Sequence, residues 1–329
     1  MNAVPSTTSQ HILEDCLAAA VTAPSAHNTQ PWRFRVLRET LDLIADRTRA
    51  LPVNDPYDRE LTISCGAALF NLRTAAAARG WAALVDEFPF EDDPDLLARI
   101  TLCSDMPAGI EDAKRLAAAI PVRRTYRKRF SDQAPRQTDI DSLILAAERE
   151  SCFAAPIGGD VRREAAVACI SEADELLWNE PSWRREIASW MHPQREHEGF
   201  AIPGLSRKSA ELVVRSFDLG SGVAARDSKL LEGTPLLLVV GSAGDEPADW
   251  LHCGQALERV LLTAASLGMQ ASFLSQPLHF DRLRARIREL APGAKVPQVL
   301  LRLGIPLETL SPVVRRPVGD VIKTDWLEG

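Results

Sequence analysis

Residues 65–80 read CGAALFNLRTAAAARG and residues 253–268 read CGQALERVLLTAASLG. Aligned without a gap, seven of the sixteen positions are identical: the Cys, the first Gly, an Ala, a Leu, two successive Ala and the last Gly. Paired alanines recur in unrelated helices, but a Cys-Gly start and a Gly stop at equal spacing do not follow from helix propensity. The final Gly ends a helix because it takes left-handed backbone at no Cβ cost. Small residues along one face let two helices approach closely. The simplest fold for such a chain is a duplicated lobe, two copies around a pseudo-twofold axis. This is the arrangement of a C2 dimer written into one polypeptide.

The rest of the pattern is mixed. Ser9 caps a helix from Gln10 to about Thr22. Phe34/Val36 and Leu41/Leu43/Ala45 alternate as a hairpin about Glu39-Thr40. Asp58 opens the first repeat helix, which runs to Arg79. Strands follow at Ala82–Glu87 and Arg99–Cys103, then a short helix over 109–119. Helices at 138–149 and 162–177 precede a buried strand at Leu236–Gly241, the second repeat helix at Asp249–Leu267, and strands at Ala271–Leu274 and Val299–Leu303. A basic amphipathic helix lies at 281–290. The class is α+β, with an N-terminal lobe over 1–119 and a C-terminal lobe over 120–329. Residues 178–226, with Trp178, Trp183, Trp190, Gly204, Gly220 and Gly222, form an insertion that covers something or packs on the surface. That much aromatic surface must be buried, and the nearest concave face is the expected partner.

The net charge of −7 excludes a general nucleic-acid role, and no apolar run is long enough to span a bilayer. The N-terminus lacks a signal-peptide pattern, so the chain reads as cytoplasmic. The six cysteines form no C-x-x-C pair and read as reduced, buried small hydrophobes. His192 and His197 flank Glu196 at a spacing that does not put two ligands on one helix face, and no metal site is expected.

Two stretches carry chemistry. Pro24-Ser25-Ala26-His27-Asn28-Thr29-Gln30-Pro31-Trp32 cannot continue a helix, because both prolines lack the N–H. It either caps and turns, or presents polar groups to a flat heterocycle at little entropic cost. Arg123 to Arg129 holds five cations in seven residues of an acidic protein. It is either a solvated basic turn or a phosphate site, since arginine forks match paired phosphate oxygens.

The wording of residues 23–34, APSAHNTQPWRF, resembles the flavin loop of the FMN-dependent nitroreductase family, in particular its long single-chain, Acg-like actinobacterial type. Arg123-Arg124-Thr125-Tyr126-Arg127 resembles the family's R-R-S-x-R phosphate segment, with Thr125 in the serine position. Lys229 matches a basic flavin contact, Ser275-Gln276-Pro277 a segment facing flavin N5, and Arg315-Arg316-Pro317 a C-terminal phosphate arginine. The resemblance implies a nitroreductase-like fold, sheets flanked by helices in two lobes, with the insertion as a lid. It implies FMN held by Pro24, Ser25, Ala26, Asn28, Gln30, Arg123, Arg124, Thr125, Arg127, Lys229, Ser275, Gln276, Pro277, Arg315 and Arg316. A cation near N1 compensates the charge left by two-electron reduction, so the chemistry needs no catalytic side chain. His27 is assigned a structural hydrogen bond rather than a catalytic role.

The first lobe keeps the loop but residues 1–10 hold no arginine. The second keeps the arginine run, but the counterpart of the loop, around Ala154–Gly159, lacks Asn, Gln and Trp. One FMN per chain is expected, in a monomer that mimics a dimer, with NAD(P)H and a small-molecule acceptor as partners. The alternative is a catalytically weak protein that sequesters FMN beneath its lid.

Overall fold

The computed structural model describes residues 7–37, 40–105, 107–191, 195, 197–199 and 235–322, the side chains of 7–10 excepted. The first half runs α1 (Thr7–Ala20), β1 (Trp32–Val36), β2 (Thr40–Ala45), α2 (Arg59–Ala78), β3 (Ala82–Glu87), β4 (Leu96–Cys103) and α3 (Ile110–Ala119). The second runs α4 (Gln137–Glu148), β5 (Phe153–Pro156), α5 (Asp160–Asn179), α6 (Pro181–Ser189), β6 (Leu236–Ser242), α7 (Pro247–Ser266), β7 (Gln270–Phe273), α8 (Asp281–Leu290), β8 (Val296–Gly304) and α9 (Val318–Val321).

Each half builds one four-stranded antiparallel sheet, in the orders β1-β2-β4-β3 and β5-β6-β8-β7. The two orders are the same topology. The duplication reaches fine detail, because both sheets slip register at the same place, between Leu43 and Ile44 in one and between Val240 and Gly241 in the other. β6 is buried along its whole length, which explains why it reads as a continuous apolar run rather than an alternation.

The repeat helices α2 and α7 pack on each other at the centre. A Cβ on Gly66 would meet Leu251 O at 2.2 Å, and one on Gly254 would meet Ile63 O at 2.1 Å. Ile63 and Leu251 are themselves aligned in the repeat. Each glycine therefore meets the other copy at the equivalent atom, the signature of a twofold axis passing between them. Only a residue without Cβ permits this approach.

The end of the second half crosses to the first, and its start lies along its own sheet. Ile322 bridges Phe34 on the edge of the first sheet, and Val321 is buried in the first core with Trp32, Phe34 and Leu69. Thr125 bridges Ala271 on the edge of the second sheet.

One assignment changes. Ala154 lies inside strand β5, paired with Val240 and buried, so the counterpart of the α1–β1 loop is residues 149–152, not Ala154–Gly159. The strand is only four residues long, too short to show a period in the sequence. All six cysteines are free, and all but Cys103 are buried.

Candidate functional site

The backbone of the α1–β1 loop is left-handed at His27 (φ 47°), Asn28 (φ 56°) and Gln30 (φ 51°). Non-glycine residues in that region cost on the order of 1–3 kcal/mol each, so the surroundings must hold them there. Gln30 N donates to Ser25 Oγ at 3.0 Å, and Ala26 N donates to Ser64 Oγ at 3.3 Å. Ser64 Oγ in turn donates to Glu60 O at 2.7 Å. The loop is thus fastened to the first turns of α2. Pro24 is buried behind it.

The other segments arrive from across the fold. Tyr126 N donates to Ala271 O at 2.8 Å, laying the arginine run along β7. Arg123 Nη2 then donates to Thr22 O at 3.2 Å, beside the loop. Arg124 N donates to Gln270 Oε1 at 2.7 Å. After β7, Ser275 Oγ accepts from Leu300 N at 3.3 Å, Pro277 is buried, and His279 Nε2 lies 3.4 Å from Glu60 Oε1. From the tail, Arg316 N donates to Gln30 Oε1 at 2.8 Å, and its Nη1 donates to Gln30 O at 3.3 Å. Segments far apart in sequence therefore meet between the two lobes. Lys229 lies outside the described residues.

Arg123, Arg124 and Arg315 stand close enough to perturb one another, with Glu258 beside Arg123. Arg315 is pushed down to about 10, by burial and then by the neighbouring Arg123. Burial and Arg123 also lower Arg124. The acid among them is Glu258 on α7, fully buried, whose Oε1 lies 3.4 Å from Arg123 Nε. Burial pushes Glu258 up to about 7, against the opposing pull of Arg123. Burial pushes His27 down to about 4, so it is neutral at pH 7. His27 hydrogen-bonds Asn54 and faces Glu60, His279 and Arg127. Arg127 is exposed, yet protein surrounds it closely enough to lower its pKa by desolvation.

Buried polar atoms left without a hydrogen-bond partner among the described residues include Asn28 Oδ1, Arg124 Nε, Gln276 Oε1, Arg315 Nε and both Glu258 carboxylate oxygens. Native proteins leave few such atoms, and each calls for an explanation. Four of these five residues were assigned to the cofactor from sequence. Arginine guanidinium groups and amide oxygens are the donor and acceptor types that a phosphate and a flavin ring require, so the residues present fit a flavin mononucleotide.

A profile of the nitroreductase family matches residues 5–55 and 120–305. The chain belongs to the nitroreductase family. A Mycobacterium tuberculosis protein named "Putative NAD(P)H nitroreductase Rv3131" is 34% identical over 95% of this chain and 90% of its own length. The "Putative NAD(P)H nitroreductase acg" of the same organism is 31% identical over 94% of this chain and 95% of its own. A crystal structure of a nitroreductase-type protein from Anabaena variabilis, described as putative, covers 93% of this chain and 90% of its own with a TM-score of 0.54 at 12% identity. That likeness speaks to fold.

Within this nitroreductase fold the insertion touches the loop directly. Asn28 Nδ2 donates to Gly199 O at 3.2 Å, and Gln30 Nε2 donates to His197 O at 2.8 Å. Arg49 pairs with Glu198, and Arg195 lies 3.8 Å over the Trp190 ring. Gly199 has φ 67° and packs against Trp190 O, so no side chain fits. Trp178 and Trp183 bury themselves elsewhere, while Trp190 is buried beneath Arg49 and Arg195. Trp178 and Trp183 pack edge-on at 5.3 Å in a cluster with Ile187, Met191 and Phe280, and Trp183 Nε1 donates to Asn54 Oδ1 at 2.9 Å. They complete helices α5 and α6, so they need no open face. Gly204, Gly220 and Gly222 lie outside the described residues.

Sequence reasoning passed over Glu258, Glu60 and His279. Glu258 left a trace, since the repeat aligns it with Phe70, and a carboxylate at an apolar helical position is anomalous. Glu60 and His279 left none, because only the fold brings them together.

Proposed function

We propose that this chain binds one FMN between its lobes and works as an NAD(P)H-dependent oxidoreductase on a small acceptor. When bound, FMN supplies hydride transfer at its N5. The observation that carries the reading is the cluster of buried, unpartnered polar atoms on Asn28, Arg124, Gln276 and Arg315, residues from four separate segments. Arg123, Arg124 and Arg315 hold the phosphate by charge-assisted hydrogen bonds. Arg127 supplies a cation that compensates negative charge on a reduced ring. Ser25, Ala26 and Thr125 shape the wall, Pro277 rigidifies the segment facing the ring, and Lys229 adds a further basic contact. Arg316 and Gln30 clamp the loop that carries these groups. His27, neutral and tied to Asn54, positions the loop.

The proposal assigns residues 1–119 to one lobe and 120–329 to the other, with a lid at about 178–226. Among the described residues no helix is long and apolar enough to cross a membrane. The reading makes the chain a cytoplasmic monomer whose second lobe replaces a partner subunit.

A second reading has a specific observation behind it. The carbonyls of His197 and Gly199 already take the amide donors of Gln30 and Asn28. A segment seated there favours an FMN-sequestering protein with slow turnover. Flavin content and anaerobic mixing with NADPH test both. Near one equivalent of FMN that bleaches supports the oxidoreductase, and bound FMN that stays yellow supports sequestration. Two equivalents overturn the single site, and no FMN after reconstitution overturns both readings.

A further inference from the structure

The twofold axis between Gly66 and Gly254 sends the candidate flavin site onto a second place. The gap-free alignment of the repeat continues past the helices, matching Ala83 with Ala271 and Pro89 with Pro277. It also matches Ser64 with His252 and Ser275 with Glu87. The α1–β1 loop corresponds to residues 149–152, between α4 and β5. His252, Glu87, Arg149, Glu150 and Ser151 line a single cavity of about 330 Å³, together with Arg73. The cavity is therefore the symmetry mate of the flavin site, rebuilt with other chemistry.

Three ion pairs stand at its walls, each with a cation that lines the cavity and is more exposed than its partner. Arg149 is 49% exposed and Asp112, 3.0 Å away, 26%. Arg73 is 34% exposed and Glu150, 2.9 Å away, 8%. His252 is 41% exposed and Glu87, 2.6 Å away, 26%. Glu87 and Glu150 share the lining with Arg73, Arg149 and His252, and each is already held by its own cation. Arg149 donates through Nη1 to Asp112, and Arg73 through Nη1 to Glu150 and Gln255. The Nε and Nη2 groups of both have no hydrogen-bond partner among the described residues. Ala83, Leu84 and Val85 of β3 supply an apolar side. The volume is at the small end of ligand sites.

We propose that this cavity binds a small organic anion, its carboxylate or phosphate oxygens on the forks of Arg73 and Arg149 and its short body along β3. Arginine forks match such paired oxygens in geometry as well as charge. The proposal rests on the twofold relation of the fold and not on the flavin reading. The symmetry also explains why a cavity is there at all: duplication made two sites, and only one kept the flavin loop and the arginine run.

The test is isothermal titration of the chain as purified, at constant ionic strength, with succinate and with inorganic phosphate as probes. Saturable binding of either is expected, and which one binds identifies the head group. Arg149→Glu, on a half-exposed side chain, should weaken it by roughly tenfold or more. Leu84→Trp, from the exposed face of β3, should abolish it by filling the space. Circular dichroism and the flavin spectrum should not change in either variant. No saturable heat with either probe overturns the proposal and leaves the ion pairs as lobe-to-lobe glue. Binding that survives both folded variants overturns it too, placing the anion elsewhere.

Discussion

The twofold contact makes a quantitative demand on Gly66 and Gly254. Replacing Gly66 by Ala puts a methyl 2.2 Å from Leu251 O and 2.9 Å from Gly254 Cα, and real Cβ contacts below 3.0 Å essentially never occur. Both obstacles are backbone, so no side chain can swing aside, and α2 and α7 must part by roughly 1 Å in a close-packed interior. Suppose about forty carbon–carbon contacts, one buried leucine's share, lose a third of about 0.15 kcal/mol each; the loss is about 2 kcal/mol. Local overpacking adds about 1–3 kcal/mol. Alanine's better helix propensity returns about 1 kcal/mol. The net destabilisation is about 2–4 kcal/mol, a drop of about 3–6 °C in Tm for a chain of this size. Because the contact is reciprocal, Gly254→Ala should cost the same within about 0.5 kcal/mol, and the double variant less than the sum, since helices already parted admit a second methyl. Thermal melts by far-UV circular dichroism, with urea titration as a check, measure all three. An unchanged or raised Tm in either single variant would refute the geometry, and a large inequality between them would refute the symmetry.

The remaining predictions concern the site. Arg123→Ala with Arg315→Ala should release FMN from a folded protein, each contact being worth about 1.5–3 kcal/mol, as equilibrium dialysis reads directly. Unchanged affinity would put the phosphate elsewhere. Glu258 has its folded pKa raised to about 7, above the unfolded value of about 4.3. The stability it contributes is therefore full below about pH 4.3 and is lost as pH rises through about 7. Glu258→Gln should flatten the urea stability profile of the apo-protein across that window, and a profile as steep as the parent's would show that another group titrates there. Replacing residues 195–226 by a Gly/Ser linker, which spares the tryptophan cluster, should keep FMN bound and speed its reduction by NADPH in stopped flow. Equal rates would make the segment a surface insertion.

Local patterns in the sequence determined the duplicated helix, its glycine stop, every sheet strand but β5 and the kinked Pro24–Trp32 loop, because period, turn chemistry and spacing are written in contiguous residues. The family wording singled out candidate cofactor residues for the same reason, and the orphaned atoms of Asn28, Arg124, Gln276 and Arg315 fall on four of those candidates. Tertiary structure alone decided what those residues meet. Four-residue β5 had too few positions to show a period, so the counterpart of the loop was displaced by a few residues. The tryptophans of α5 and α6 announced burial but not its partner, which is Phe280 and each other. Glu258 beside Arg123, Glu60 beside His279, and His197 O on Gln30 join residues far apart in the chain, and no local propensity records such a meeting. The second cavity needed both kinds of information: the repeat supplied the symmetry operation, and only the folded chain showed what stands at its other end.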